Sequence, residues 1–214
     1  TLAGMVNGLL VTRIKLPPFI VTLGTMNIAF AVTQLVSRAQ TFTDLPPLLT
    51  WLGHSVRVAN TPIAYGALAM LLLYGFAFVL LRETAAGRHV YAVGNNLESA
   101  RLAGINTNRL LLSVYMLSGL CAGVAALLSI ARTGVGDPQS GQTENLDTVT
   151  AVVLGGTSLF GGRGLVVGSL VGALIVGVFR NGLTLMGVSS VYQILVTGVL
   201  VILAVATDQW SRKS

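Results

Sequence analysis

Apolar residues along this chain gather into runs without a formal charge, at 19–36, 63–81, 110–130, 164–179 and 185–206, with shorter runs at 1–12 and 149–160. Two long polar stretches, 37–62 and 82–109, and a few short basic or glycine-bearing ones separate them. A helix crossing a bilayer needs about 20 apolar residues, because backbone groups in lipid must be paired within their own segment. Three of the runs reach that length outright. The stretch 185–206 holds 13 Leu, Ile, Val or Met residues. Its insertion gains roughly 5 kcal/mol at about 0.4 each, where a single Asp would cost about 3. The 164–179 and 149–160 runs are shorter and predict half-helices or re-entrant pieces, shielded by protein or a watery cavity. The pattern therefore predicts an all-α, polytopic transmembrane helical bundle with short or re-entrant helices. It forms a single domain over 1–214 with about seven membrane segments.

Composition agrees with lipid as the solvent. Of 214 residues, 53% are hydrophobic and 9% charged, where ordinary soluble domains carry about 25% charged residues. The net charge of +6 does not point to nucleic acid, because the basic residues are spread between apolar runs and form no single face. Placing Arg13 and Lys15 on the cytoplasmic side puts nine Lys or Arg inside and four outside, namely Arg38, Arg57, Arg132 and Arg180. The positive-inside rule favours that threading. It makes 82–109 and the C-terminus cytoplasmic and 37–62 and 131–148 external. Thr1 opens within an apolar run with neither an initiator Met nor a charged n-region, so the sequence reads as N-terminally truncated, with one or more spans missing. The lone Cys121 sits mid-run and offers neither an internal disulfide nor a metal cluster.

The polar stretch 82–109, RETAAGRHVYAVGNNLESARLAGINTNR, is long for a connection in a helical bundle. Asn95 followed by Glu98 reads as a capping box with Asn as N-cap, and Gly104 as the C′ glycine that stops a helix of about two turns. So short a helix is marginal alone in water and predicts docking against something. Downstream, Gly155, Gly156, Gly161, Gly162 and Gly164 interrupt the apolar run and predict a backbone turn at membrane depth. They do not form a phosphate-binding loop, since GxxxxGK[ST] is missing and the only lysines are Lys15 and Lys213. Gly164, Gly168 and Gly172 recur every fourth residue and predict close helix packing.

Four separated motifs carry a family resemblance. GRHVYAVGNNLESARLAGI at 87–105 resembles the cytoplasmic coupling loop of ABC importer permeases of the monosaccharide (ribose, xylose and fructose) type, which are related to branched-chain amino-acid permeases. Glu98, Ala100 and Gly104 match its E-A-A-x-x-x-G core, with Ser99 at the second position. ENLDTVTAVVLGGTSLFGGRG at 144–164, GVSSVYQ at 187–193 and LVTRIKLPPFIVTLGT at 10–25 are also similar to that family, in the same order. The resemblance implies a permease subunit of the bacterial inner membrane that works as a homodimer. A separate ABC ATPase subunit would supply the ATP and Mg chemistry, and an extracytoplasmic sugar-binding protein would deliver the monosaccharide. It further implies that Gly87, Gly94, Asn95, Glu98, Ser99, Ala100, Gly104 and Ile105 form the surface coupled to the ATPase. This chain itself is then no enzyme and needs no cofactor or metal.

Other function classes fare worse. An ion-coupled secondary transporter of a small polar solute is the alternative, but such machines place ionisable residues within their spans. Here the acids and both histidines fall in predicted connections or at span ends. Intramembrane hydrolysis needs paired groups at one depth, whereas His54 and His89 fall on opposite sides. A hydrophilic path for a neutral polyol would draw on the midmembrane polar residues Asn27, Gln34, Tyr115, Ser118, Tyr192 and Gln193. Each of these could equally bond a neighbouring helix.

Overall fold

The computed structural model describes residues 1–58, 61–142, 144–159 and 161–211. Arg212 and Lys213, counted above on the cytoplasmic side, lie outside the described residues. The chain divides into two compact units, Thr1–Leu72 with Ile105–Ser140, and Leu73–Gly104 with Gly141–Ser214. Both are helical, and the one described hairpin is a short antiparallel pair, β1 (Ser55–Val58) with β2 (Thr61–Ala64).

The first unit is built on α1 (Leu2–Arg13), α2 (Pro18–Ser37) and α7 (Thr107–Thr133). Gly4 faces the Tyr115 backbone, Gly8 faces Leu112 and Gly119 faces Gly4, so α1 and α7 run antiparallel in close contact. Pro18 occupies the first turn of α2, where a missing N–H leaves no bond unmade. α2 ends on Arg38 at φ +52, whose N–H returns to the Gln34 carbonyl. The connection that follows contains α3 (Pro47–Thr50), a 3-10 turn (Trp51–Gly53) and the hairpin. It folds back on the far end of α7. Phe42 and Gly136 exchange backbone hydrogen bonds of 2.9 and 2.8 Å, and Gly53 lies against the Ala131 carbonyl. Trp51 stacks on Tyr65 with ring centroids 5.4 Å apart.

The second unit contains α5 (Ala85–Asn95), α6 (Leu97–Leu102), α8 (Glu144–Leu154), α9 (Val166–Leu185) and α10 (Ser190–Ser211). The remaining helix, α4 (Tyr65–Glu83), spans the boundary between the two units in sequence. α8 and α9 pack as an antiparallel hairpin, with Gly155 against Gly168 and Ala151 against Gly172, close enough that a β-carbon at any of these glycines would overlap backbone. The small residues at four-residue spacing therefore serve packing, as predicted.

Among the described residues, four helices, α2, α4, α7 and α9, are long and apolar enough to cross a membrane. The 20-residue α9 corrects the sequence reading of 164–179 as a short piece. Arg180, whose charge ends the apolar run at 179 in the sequence, lies within α9 and pairs with Asp147 in the first turn of α8. The 11-residue α8 remains too short to cross, at about 1.5 Å of rise per residue. The run 185–206 also straddles a break. Leu185 ends α9, Gly187 turns at φ +74, and α10 starts at Ser190. Large apolar side chains cover the outside of these helices, for example Leu35, Val36, Leu72 and Val178. Lipid or neighbouring helices are the environment in which such a surface is stable. The fold is an all-α, multi-pass membrane bundle.

Candidate coupling surface

The polar connection after α4 is more ordered than a single short helix. Thr84 caps α5, its Oγ1 accepting from Gly87 N at 3.2 Å and donating to Leu80 O at 2.6 Å. Gly87 is buried against the Leu81 backbone, and Val93 is buried on the same helix. α5 runs through Asn95, so Asn95 is not the N-cap that the capping-box spacing proposes. Asn96 takes that place, its Oδ1 accepting from Ser99 N at 2.9 Å. Either asparagine satisfies the composition of a cap; what decides is that the preceding helix extends one residue further.

α6 then carries Glu98 in its first turn and Arg101 in its last, the signs that suit a helix dipole. Ala100 is 4% exposed, while Leu97 and Leu102 are 46% and 82% exposed. Gly104 sits at φ +85 and its N–H reaches Arg101 O at 3.0 Å, the geometry of a C′ glycine. Ile105 follows before Asn106, whose Oδ1 caps α7 by accepting from Arg109 N at 3.1 Å.

The glycine turn lies against this segment. Gly156, Gly161 and Gly162 have φ of +81, +88 and +77, a region closed to most side chains. Ser158 N donates to Arg163 O at 3.0 Å and Gly161 N to Ser158 O at 3.2 Å, closing the turn on itself. Gly94 and Asn95 of α5 meet Gly161 and Gly162 directly, backbone to backbone. Tyr91 Oη donates to Gly164 O at 3.0 Å. Two residue groups that the sequence presents separately thus form one surface. Tyr91 and Asn96 belong to it and were missed. Asn96 carries the same signal as Asn95, whereas nothing local marks Tyr91, whose partner lies 73 positions away.

The six residues proposed for a hydrophilic path are shared between the two units. Asn27 and Gln34 sit on α2 and Tyr115 and Ser118 on α7, all in the first unit; Tyr192 and Gln193 belong to the second. Gln34 is in the last turn of α2, and Tyr192 and Gln193 are in the first turn of α10. Gln193 Nε2 donates to Thr184 Oγ1 at 3.2 Å and to Val188 O at 2.9 Å, clasping the α9–α10 turn. Among the described residues no three of His, Cys, Asp and Glu gather into a metal site.

Residues 1–205 match the protein family described as branched-chain amino acid transport system / permease component. The chain belongs to this permease family. Within it, the permease chain is 48% identical over 217 residues to a fructose import permease protein of Rhizobium meliloti, covering 99% of this chain and 60% of that protein. It is 40% identical over 209 residues to a ribose import permease protein of Escherichia coli K12, covering 96% and 64% respectively. A xylose transport system permease protein of Escherichia coli K12 is 42% identical over 163 residues, 76% of this chain and 40% of that protein. The permease chain thus spans about 60% of the length of the fructose relative. No solved structure matches it.

Proposed function

We propose that this chain is part of the membrane subunit of an ATP-driven importer that carries a monosaccharide across a bacterial inner membrane. ATP and Mg belong to a separate ATPase subunit in this reading. An extracytoplasmic sugar-binding protein delivers the substrate, and a second copy of the permease completes the pathway. The observation that carries the reading is α6. It is a six-residue helix capped by Asn96 and stopped by Gly104, presenting Leu97 and Leu102 to a partner from a polar connection. So short a helix has no independent stability; its caps make sense if its position matters to something outside the chain. The names of the relatives supply the substrate class.

The ion-coupled alternative needs a free ionisable group within the bundle. The acid on α8 that comes nearest to this role, Asp147, is already engaged with Arg180.

The test is Gly104→Glu, with Gln139→Ala as control. A β-carbon at Gly104 meets no atom within 4 Å, so the direct penalty is the left-handed backbone, about 1 kcal/mol. The added side chain then stands at the partner-facing end of α6. Uptake of radiolabelled fructose and ribose should fall, and co-purification of the ATPase subunit should weaken, while membrane abundance of the permease holds. Full uptake with full ATPase binding would return 84–104 to an ordinary solvated connection.

A further inference from the structure

The closest approach between α5 and the turn that joins α8 to α9 is made by backbone atoms. A β-carbon added at Gly94 would stand 2.8 Å from Gly162 N; at Gly161, 2.6 Å from Gly94 O; at Gly162, 2.8 Å from Asn95 Cα. Each of the three positions excludes even a methyl group. Tyr91 lies three residues before Gly94 and so shares its helix face, where its hydroxyl holds the Gly164 carbonyl at 3.0 Å.

Away from α5, the same turn is fastened to the hairpin it joins. Gly155 and Gly168 pack backbone to backbone, and Thr157 Oγ1 lies 3.2 Å from Ser169 Oγ. α5 is in turn tied to α6, since Asn96 N donates to Ala92 O at 3.1 Å while Asn96 Oδ1 caps the next helix. A continuous path of backbone contacts and hydrogen bonds therefore runs from α6 through α5 and residues 161–164 into α8 and α9.

We propose that Tyr91 and Gly94 are positioning residues which pass displacement of the α5–α6 segment through the 161–164 turn into the α8–α9 hairpin. This rests on the reading of α6 as the ATPase-facing helix. A side chain at such an interface can change rotamer and absorb a small shift, but two backbones in van der Waals contact cannot, because packed interiors transmit strain. Glycine on both sides removes the compliance. The Tyr91 hydrogen bond sets the register, so that α5 pushes the turn without sliding past it. The competing route is along the covalent continuations of the segment, α4 and α7.

The experiment uses the permease assembled with its ATPase subunit and sugar-binding protein in proteoliposomes. It measures uptake of radiolabelled fructose and ribose beside phosphate release. Tyr91→Phe removes one hydroxyl and keeps the ring, and uptake per ATP hydrolysed should fall about three- to tenfold, the range one hydrogen bond commands. Gly94→Ala places a methyl against Gly162 and should lower the same ratio further. Loss of assembled complex, with uptake and hydrolysis falling together and the ratio unchanged, would make the contact merely structural and overturn the proposal. An unchanged ratio at full abundance in both variants would also overturn it, and would assign transmission to α4 and α7. If the unsubstituted permease failed to bind the ATPase subunit at all, the function proposed above would fall as well; a normal complex with a normal ratio sinks only the route.

Discussion

The two long connections, 38–64 and 84–104, are both polar interruptions of an apolar chain, yet they are held by different physics. In 84–104 side-chain oxygens cap both helices, Gly87 and Ala100 are buried, and Gly94 meets the glycine turn with no side chain between. In 38–64 neither α3 nor the 3-10 turn has a side-chain cap. Prolines start α3, and an aromatic stack and a pair of backbone bonds to Gly136 hold the rest. Contacts made through large side chains repack when one member changes; contacts between bare backbones have nothing to repack. The first connection is therefore stiff and intolerant of substitution, whereas the second shares that constraint at Gly53, against the Ala131 carbonyl, and is compliant at the Trp51–Tyr65 stack.

The largest test of that contrast is Gly162→Val. A β-branched residue at φ +77 is strained by about 1–2 kcal/mol, and its Cβ would stand 2.8 Å from Asn95 Cα. Membrane abundance on immunoblot should drop severalfold and uptake should be lost; normal values for both would erase the distinction between the connections. Asn96→Ala should have an intermediate effect. Loss of a cap costs about 1 kcal/mol, so uptake should fall roughly fivefold with abundance maintained. Asn95→Ala, which removes no cap, should do less, and the reverse ranking would restore Asn95 as the cap. The smallest effect belongs to Trp51→Ala in the other connection. The stack on Tyr65 contributes about 0.5–1.5 kcal/mol, so the melting temperature of the detergent-solubilised protein should fall slightly and uptake should not change. A loss of uptake there would show that 38–64 is as exacting as 84–104.

Local signals were legible where one segment decides its own structure. The spans predicted at 1–12, 19–36, 63–81 and 110–130 agree with α1, α2, α4 and α7 to within a few residues, because hydropathy and length suffice for a helix in lipid. Gly104 was readable as a helix stop because only glycine takes φ +85 without strain. α5 was hidden: RHVYAVGN is polar enough to read as loop, and its helix depends on Thr84 as cap and on the surface it covers. Missing α5 put the N-cap of α6 one residue early. α9 was cut short because a charge count treats Arg180 as the end of a span, and only the fold brings Asp147 to it. Glycine meeting glycine leaves no trace in composition, so the Gly94–Gly162 contact could not be read from the chain. The clasp of Gln193 on Thr184 and Val188 across the α9–α10 turn is hidden for a related reason, since it needs the break at Gly187.

The Arg180–Asp147 pair also bears on how the chain reaches the bilayer. An unpaired arginine on a lone helix costs about 2.5–3.5 kcal/mol at mid-membrane by insertion scales. α8 on its own is too short to cross. Together the two helices form a hairpin whose opposite charges meet, which offsets the cost of carrying either charge into lipid alone. Synthesis delivers Asp147 before Arg180, so the acid is already waiting when the arginine emerges. For this part of the chain the natural unit of biogenesis is the hairpin and not the helix.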